Sequence, residues 1–173
     1  MALWKDGGFA LDPWRLAADD SLIGVDEPVI VSLTRWRTER DTLAGRNAPL
    51  GLLIAPGDDW ESIATDLSRF AVIAVSFPKF TDGRGFSYAR LLRDREHFTG
   101  EIRAVGDFYI DQVPLMRRVG IDAFHTENAT VIRAFENGVW PEVAEYLQPI
   151  GIAGEVPAGT RPWARRPGPR TAD

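Results

Sequence analysis

A chain of 173 residues, 45% apolar and 26% charged, has the size and composition of one globular domain with a real core. Its formal charge of −5 disfavours nucleic-acid binding, and its lack of cysteine excludes disulfides, thiolate nucleophiles, Cys-ligated iron–sulfur clusters and thiolate zinc sites. With no apolar run near the roughly 20 residues that span a bilayer, and no signal-peptide pattern at the start, a cytoplasmic protein without a membrane partner is expected.

The first fifteen residues predict a small hairpin, Ala2–Trp4 and Phe9–Leu11, turning at Asp6-Gly7. From Pro28 the pattern changes to short apolar runs alternating with segments of helical period. Val29–Leu33 reads as a strand, Arg35–Ala44 as a polar helix and Leu50–Ile54 as a second strand. Asp58 or Asp59 is placed to cap a helix whose Trp60, Ile63, Ala64 and Leu67 fall on one face. Val72–Phe77 is apolar almost throughout, as expected of a parallel strand buried on both faces.

Ser87–Glu96 follows as a helix, Glu101–Val105 as a strand, and a further helix runs to Val119 with Gly120 at its C′ position. In that helix Asp111 takes the N-cap and Pro114 the first turn. Ile121–Phe124 makes a last strand, Asn128 caps Ala129–Glu136, and Pro141 opens a final helix ending before Pro149.

Five consecutive βα units after a hairpin predict an α/β fold with a mostly parallel sheet joined by right-handed crossovers. Either an open doubly wound sheet or a partial β/α barrel satisfies that order. Residues 1–154 form the single domain, with the hairpin at 1–15, and the Pro/Arg-rich stretch 155–173 reads as a flexible tail.

Ligands of parallel α/β folds gather at the carboxyl ends of the strands. There the richest loop carries Asp82-Gly83-Arg84-Gly85 ahead of Ser87, glycines and a helix start suited to a small oxyanion. It is not a dinucleotide fingerprint, because Tyr88 stands where the third glycine or alanine belongs. The basic residues are 18 arginines against two lysines, an excess that either oxyanion and carboxylate recognition or the codon bias of a GC-rich genome would produce, so only particular positions are informative.

Arg90 and Arg93 lie on one helix face, where Arg90 can pair with Asp94. Arg103 sits inside a strand, where its charge needs a partner or a cavity, and Glu101 projects to the same side. Asp107, on the rim after that strand, is the best-placed functional acid, and Gln112 points outward to a ligand or partner. His125, following the last strand, completes the acid–base pair that can be drawn with Asp107. Arg84, Arg103 and Asp107 are expected at one common mouth. No metal site is indicated, and no catalytic constellation names a reaction.

FPKFTDGRGFSYARLLR, then FTGEIRAVGD, DQ and RVGIDAF, resemble in order and spacing the core of an uncharacterised bacterial family encoded beside assimilatory sulfite reductase. Weaker similarity extends over roughly residues 3–148. Such proteins are often labelled oxidoreductases, with no demonstrated mechanism and no established catalytic residue. Val119 departs from a position where relatives often carry cysteine, and Pro114 interrupts a usually apolar segment.

The resemblance implies an accessory protein of sulfite reduction, with sulfite reductase or its electron donor as partner and a small oxyanion as ligand. Alternatives are a small enzyme, even an oxidoreductase holding a flavin or nicotinamide, that acts on an anionic metabolite, and a protein-interaction scaffold. An incomplete barrel would also expose apolar edges and favour a homo-oligomer.

Overall fold

The computed structural model describes residues 2–141, 146–147, 156–158 and 161–166, the last three stretches as backbone alone. The chain opens with β1 (Ala2–Lys5) and returns as β2 (Gly8–Ala10). Asp6 and Gly7 between them have φ of +52° and +82°, the left-handed pair that a two-residue hairpin turn requires. A very short strand, β3 (Arg15–Leu16), follows and carries no periodic signal.

Then come β4 (Val29–Ser32), α1 (Leu33–Thr38), α2 (Arg40–Ala44), β5 (Leu50–Ile54), a 3₁₀ helix over Trp60–Arg69 and β6 (Val72–Phe77). After these lie α3 (Arg84–Asp94), β7 (Glu101–Gly106), a 3₁₀ turn at Ile110–Gln112, α4 (Val113–Arg118), β8 (Ala123–Thr126) and α5 (Ala129–Glu136).

Several expected boundaries move, each for a local reason. The polar helix starts at Leu33, because the Ser32 hydroxyl accepts the Arg35 N–H at 3.0 Å and caps it there. Neither Asp58 nor Asp59 caps the Trp60 segment; Asp58 instead accepts the Ala55 N–H at 2.7 Å. Asp111 lies within the 3₁₀ turn, and Gln112 takes the N-cap position of α4, with Pro114 in its first turn.

Gly120, at φ +96°, ends α4 as expected. Its N–H donates to Arg117 O at 3.0 Å and that of Ile121 to Met116 O at 3.1 Å, the paired bonds of a Schellman motif. That motif consumes Ile121, so β8 begins at Ala123 and His125 falls inside the strand. Asn128 caps α5 by accepting the N–H groups of Thr130 and Val131.

The helix expected from Pro141 falls largely outside the described residues, and Tyr146–Leu147 is strand β9. In the tail, β10 (Val156–Ala158) and β11 (Arg161–Arg166) pair antiparallel, with β9 alongside β11. The remainder of the tail lies outside the described residues.

The main sheet has eight strands in the order β2-β1-β8-β7-β6-β5-β4-β3. From β3 to β8 each neighbour pairs in parallel, while β1 runs antiparallel to both β8 and β2, so the sheet is mixed. A doubly wound sheet reverses strand order at a switch point. Here β3 to β8 follow chain order without reversal, and the sheet curls into a half-barrel.

Chain length helps to enforce that curl. Laid flat, eight strands would put β2 and β3 about 34 Å apart. Ala10 and Arg15, five residues apart, can be separated by no more than about 18 Å. Leu11–Trp14 is therefore a strap drawn across the hollow of the sheet, and it holds the two edges toward one another.

The two faces have different covers. On the convex face Val29, Val31, Leu52, Ile54, Ile73, Val75, Phe77, Ile102, Ala104 and Phe124 pack under the helices as the main core. On the concave face Ile30, Val72 and Ala74 form a smaller cluster covered by Trp14 of the strap, with Leu53 and Val105 beside it. Among the described residues no helix is long and apolar enough to cross a membrane.

Candidate functional site

The strap leaves a cavity of about 450 Å³ in the hollow, within the range of small-molecule sites. Trp14, Leu16, Ile30, Leu53, Ala74 and Val105 make its apolar walls, and Ser76, Arg103, Asp12 and His125 supply polar groups. Gly106, Asp107, Thr126, Glu127 and Asn128, at the carboxyl ends of β7 and β8, form its mouth.

Arg103 is 1% exposed, and a buried guanidinium must be paired. Its Nε donates to Glu101 Oε1 and its Nη1 to Asp12 Oδ2, each at 2.7 Å. Glu101 also accepts from Lys5 Nζ at 2.8 Å, through its other oxygen. The Arg103 Nη2 group donates to no described residue. Asp12 is itself fixed, because its Oδ1 accepts the Trp14 N–H at 3.1 Å. The strap and the hairpin thus carry the two ends of a charge chain, Asp12–Arg103–Glu101–Lys5, whose centre lies on β7.

His125 Nε2 lies 3.9 Å from Asp12 Oδ2. Burial lowers the His125 pKa; neighbouring Asp12 opposes that shift and Arg103 reinforces it. At the mouth Asp107 Oδ1 accepts from Asn128 Nδ2 at 3.1 Å, and Thr126 Oγ1 donates to Gly106 O at 2.8 Å. Gly106 is obligatory: its φ is +118°, and a Cβ there would stand 2.5 Å from the Phe77 carbonyl oxygen. That turn aims Asp107 over the hollow.

The expected common mouth is only partly formed. Arg103, Asp107 and His125 do line one cavity, but Arg84 is not among its walls. Arg84 is the first residue of α3, its side chain is 56% exposed, and its Nε and Nη2 donate to Asp82 at 2.9 and 2.7 Å. That contact holds the Asp82 carboxyl below its ordinary pKa, and it occupies the fork expected to bind an anion.

Gly83 stands at the N-cap of α3. Gly85 serves packing, since a Cβ there would meet the Phe77 ring at 2.6 Å. Ser87 is an exposed helical residue, and Arg90 pairs with Asp94. Arg93 ties the opposite end of the sheet, donating to the carbonyls of Gly120, Phe98 and Gly100 and pairing with Asp122. Gln112 turns onto the backbone instead of outward: its Oε1 accepts the Tyr109 N–H at 3.0 Å and its Nε2 donates to Phe80 O at 3.4 Å.

Asp12, Trp14, Lys5, Ser76, Glu127 and Asn128 complete the site without having been singled out for it by sequence. One signal pointed to a partner such as Asp12. An arginine inside a strand needs two acceptors, and Glu101 supplies only one.

The model of a family described as "Bacterial protein of unknown function (DUF934)" matches residues 51–150. The chain belongs to that family. The matched span contains the strands that carry Ser76, Arg103 and His125 and the turn that carries Asp107, whereas the hairpin and strap lie before it. No curated protein and no solved structure matches the chain.

Proposed function

We propose that this protein is an accessory factor of assimilatory sulfite reduction that binds a small organic ligand in the hollow of a partial β/α barrel of five βα units. The observation that carries the binding role is the strap-closed cavity with a buried arginine on its floor. Apolar walls around a few convergent polar groups are the ordinary make-up of a small-molecule site. Its position at the strand carboxyl ends agrees with ligand placement in barrels of parallel strands.

The pathway rests on the sequence resemblance. A docking role beside sulfite reductase or its electron donor is supported by Phe80 and Tyr109, exposed aromatics on neighbouring rim loops whose rings meet edge to face at 5.2 Å. An enzyme using Arg84, Arg103 and Asp107 together has less support, because Arg84 is engaged by Asp82 outside the cavity.

One allele tests both halves of the proposal. Ser76→Trp fills the cavity from its wall and leaves the helix-covered face untouched. A strain carrying it is expected to fail on sulfate or sulfite as sole sulfur source and to grow on sulfide, with the variant folded by circular dichroism. Equal growth of a full deletion on all three sources would remove the pathway assignment. Normal growth of the Ser76→Trp strain beside a defective deletion would remove the cavity from the function.

A further inference from the structure

We propose that the cavity selects an uncharged organic molecule, with a hydrogen-bond acceptor turned toward Arg103, and rejects inorganic oxyanions, sulfite among them. This inference rests on the ligand-binding role proposed above and specifies the ligand class.

It follows from where the charges lie. Arg103 and Asp12 line the cavity, and behind them Glu101 and Lys5 extend the same chain of contacts at 2.7 to 2.8 Å. The positive charge is balanced before any ligand arrives. Among the described residues no lysine and no arginine but Arg103 lines the cavity, while Asp107 and Glu127 stand at its mouth. An anion would pass two carboxylates, lose its water, and find Asp12 beside the guanidinium it seeks. Desolvation would go uncompensated.

Displacing Asp12 is not an open route. Its second oxygen holds the Trp14 N–H, and it sits on the short strap that draws the sheet edges together. A neutral acceptor meets none of these penalties. It takes the N–H of Arg103 Nη2 that no described residue accepts, and its apolar body covers Trp14, Leu53 and Val105.

A matched series separates the charge classes on one ring system. The full-length protein is titrated calorimetrically with 1-naphthaleneacetamide, 1-naphthaleneacetate, 1-naphthylmethylamine and sodium sulfite. The amide is expected to bind at least about tenfold more tightly than the acetate, and sulfite to give no saturable heat. Ser76→Trp should abolish the amide signal.

Tighter binding of the acetate, or saturable binding of sulfite, overturns the selectivity while leaving the cavity as the ligand site. Tighter binding of the amine places recognition at the mouth carboxylates and overturns it as well. Silence of all three naphthalenes overturns the organic-ligand role and this inference with it. Asp12→Asn supplies a second measurement, because it keeps the side chain's size and removes the charge; its single carbonyl oxygen can accept from Arg103 Nη1, while its amide nitrogen no longer accepts the Trp14 N–H. Acetate affinity should rise about tenfold in that variant, and an unchanged value counts against the charge-balance explanation.

Discussion

The convex and concave faces of this one sheet are built by opposite rules. Helices that follow each strand in sequence cover the convex face, and it is apolar from Val29 to Phe124. A four-residue strap from far earlier in the chain crosses the concave face, which mixes Ile30, Val72 and Ala74 with a buried arginine and its two carboxylates. One face supplies stability through area removed from water. The other gives up some of that area for polar groups held at fixed positions, as expected of a site rather than a core.

The largest effect that breaks this division belongs on the convex side. Phe77 is 1% exposed and packs edge to face on Phe86, with its ring filling the space left by Gly85. Phe77→Ala should cost about 4 kcal/mol in chemical denaturation. Next comes Arg103→Met, which leaves Asp12 and Glu101 without their shared cation. The expected loss is about 2 to 3 kcal/mol, kept below the cost of a fully buried pair because both carboxylates retain some solvent. A loss under about 1 kcal/mol would show that the arginine contributes little to folding.

The same contrast explains what could be read from the residues. Helix-covered strands announce themselves locally: Val72–Phe77 and Leu50–Ile54 are apolar runs, and both strands occur with those bounds. Local chemistry likewise placed Asn128 as a cap, Gly120 as a stop and Glu101 as a partner of Arg103.

What was not legible depends on contacts distant in sequence. Asp12 reaches Arg103 across 91 positions and Lys5 reaches Glu101 across 96, and neither pairing has a periodic signature. Arg84 was misplaced for a related reason. A Gly-Arg-Gly turn looks the same whether its glycines admit a ligand or a phenylalanine ring, and only the Phe77 ring under Gly85 decides between them.

Loosening the strap sharpens the comparison with a smaller change. Inserting two glycines between Leu11 and Asp12 lengthens the tie between the sheet edges and leaves the convex core intact. The expected cost is about 1 kcal/mol, from added chain entropy and a weakened Asp12–Arg103 contact. Hydrogen exchange should quicken in Gly8–Ala10 and Arg15–Leu16 and stay unchanged in Val72–Phe77. Faster exchange in Val72–Phe77 would mean that the strap holds up the whole sheet and not only its hollow.

The smallest expected effect is a slope with pH. Burial lowers the His125 pKa below its ordinary 6.5, so the folded protein keeps the ring neutral while the unfolded chain takes up a proton near that value. The unfolded state then binds more protons just below pH 6.5, and stability falls as the pH drops from there toward the folded pKa. Above pH 6.5 the contribution is complete and flat. The groups that tune it are Asp12 and Glu127, which raise the pKa, and Arg103 with the terminal amine, which lower it. His125→Gln should flatten the stability curve just below pH 6.5 without altering it at pH 8. Such a curve places the titrating ring within the concave face; an unaltered slope would mean that its burial there is relieved by solvent, and that the hollow is wetter than its walls imply.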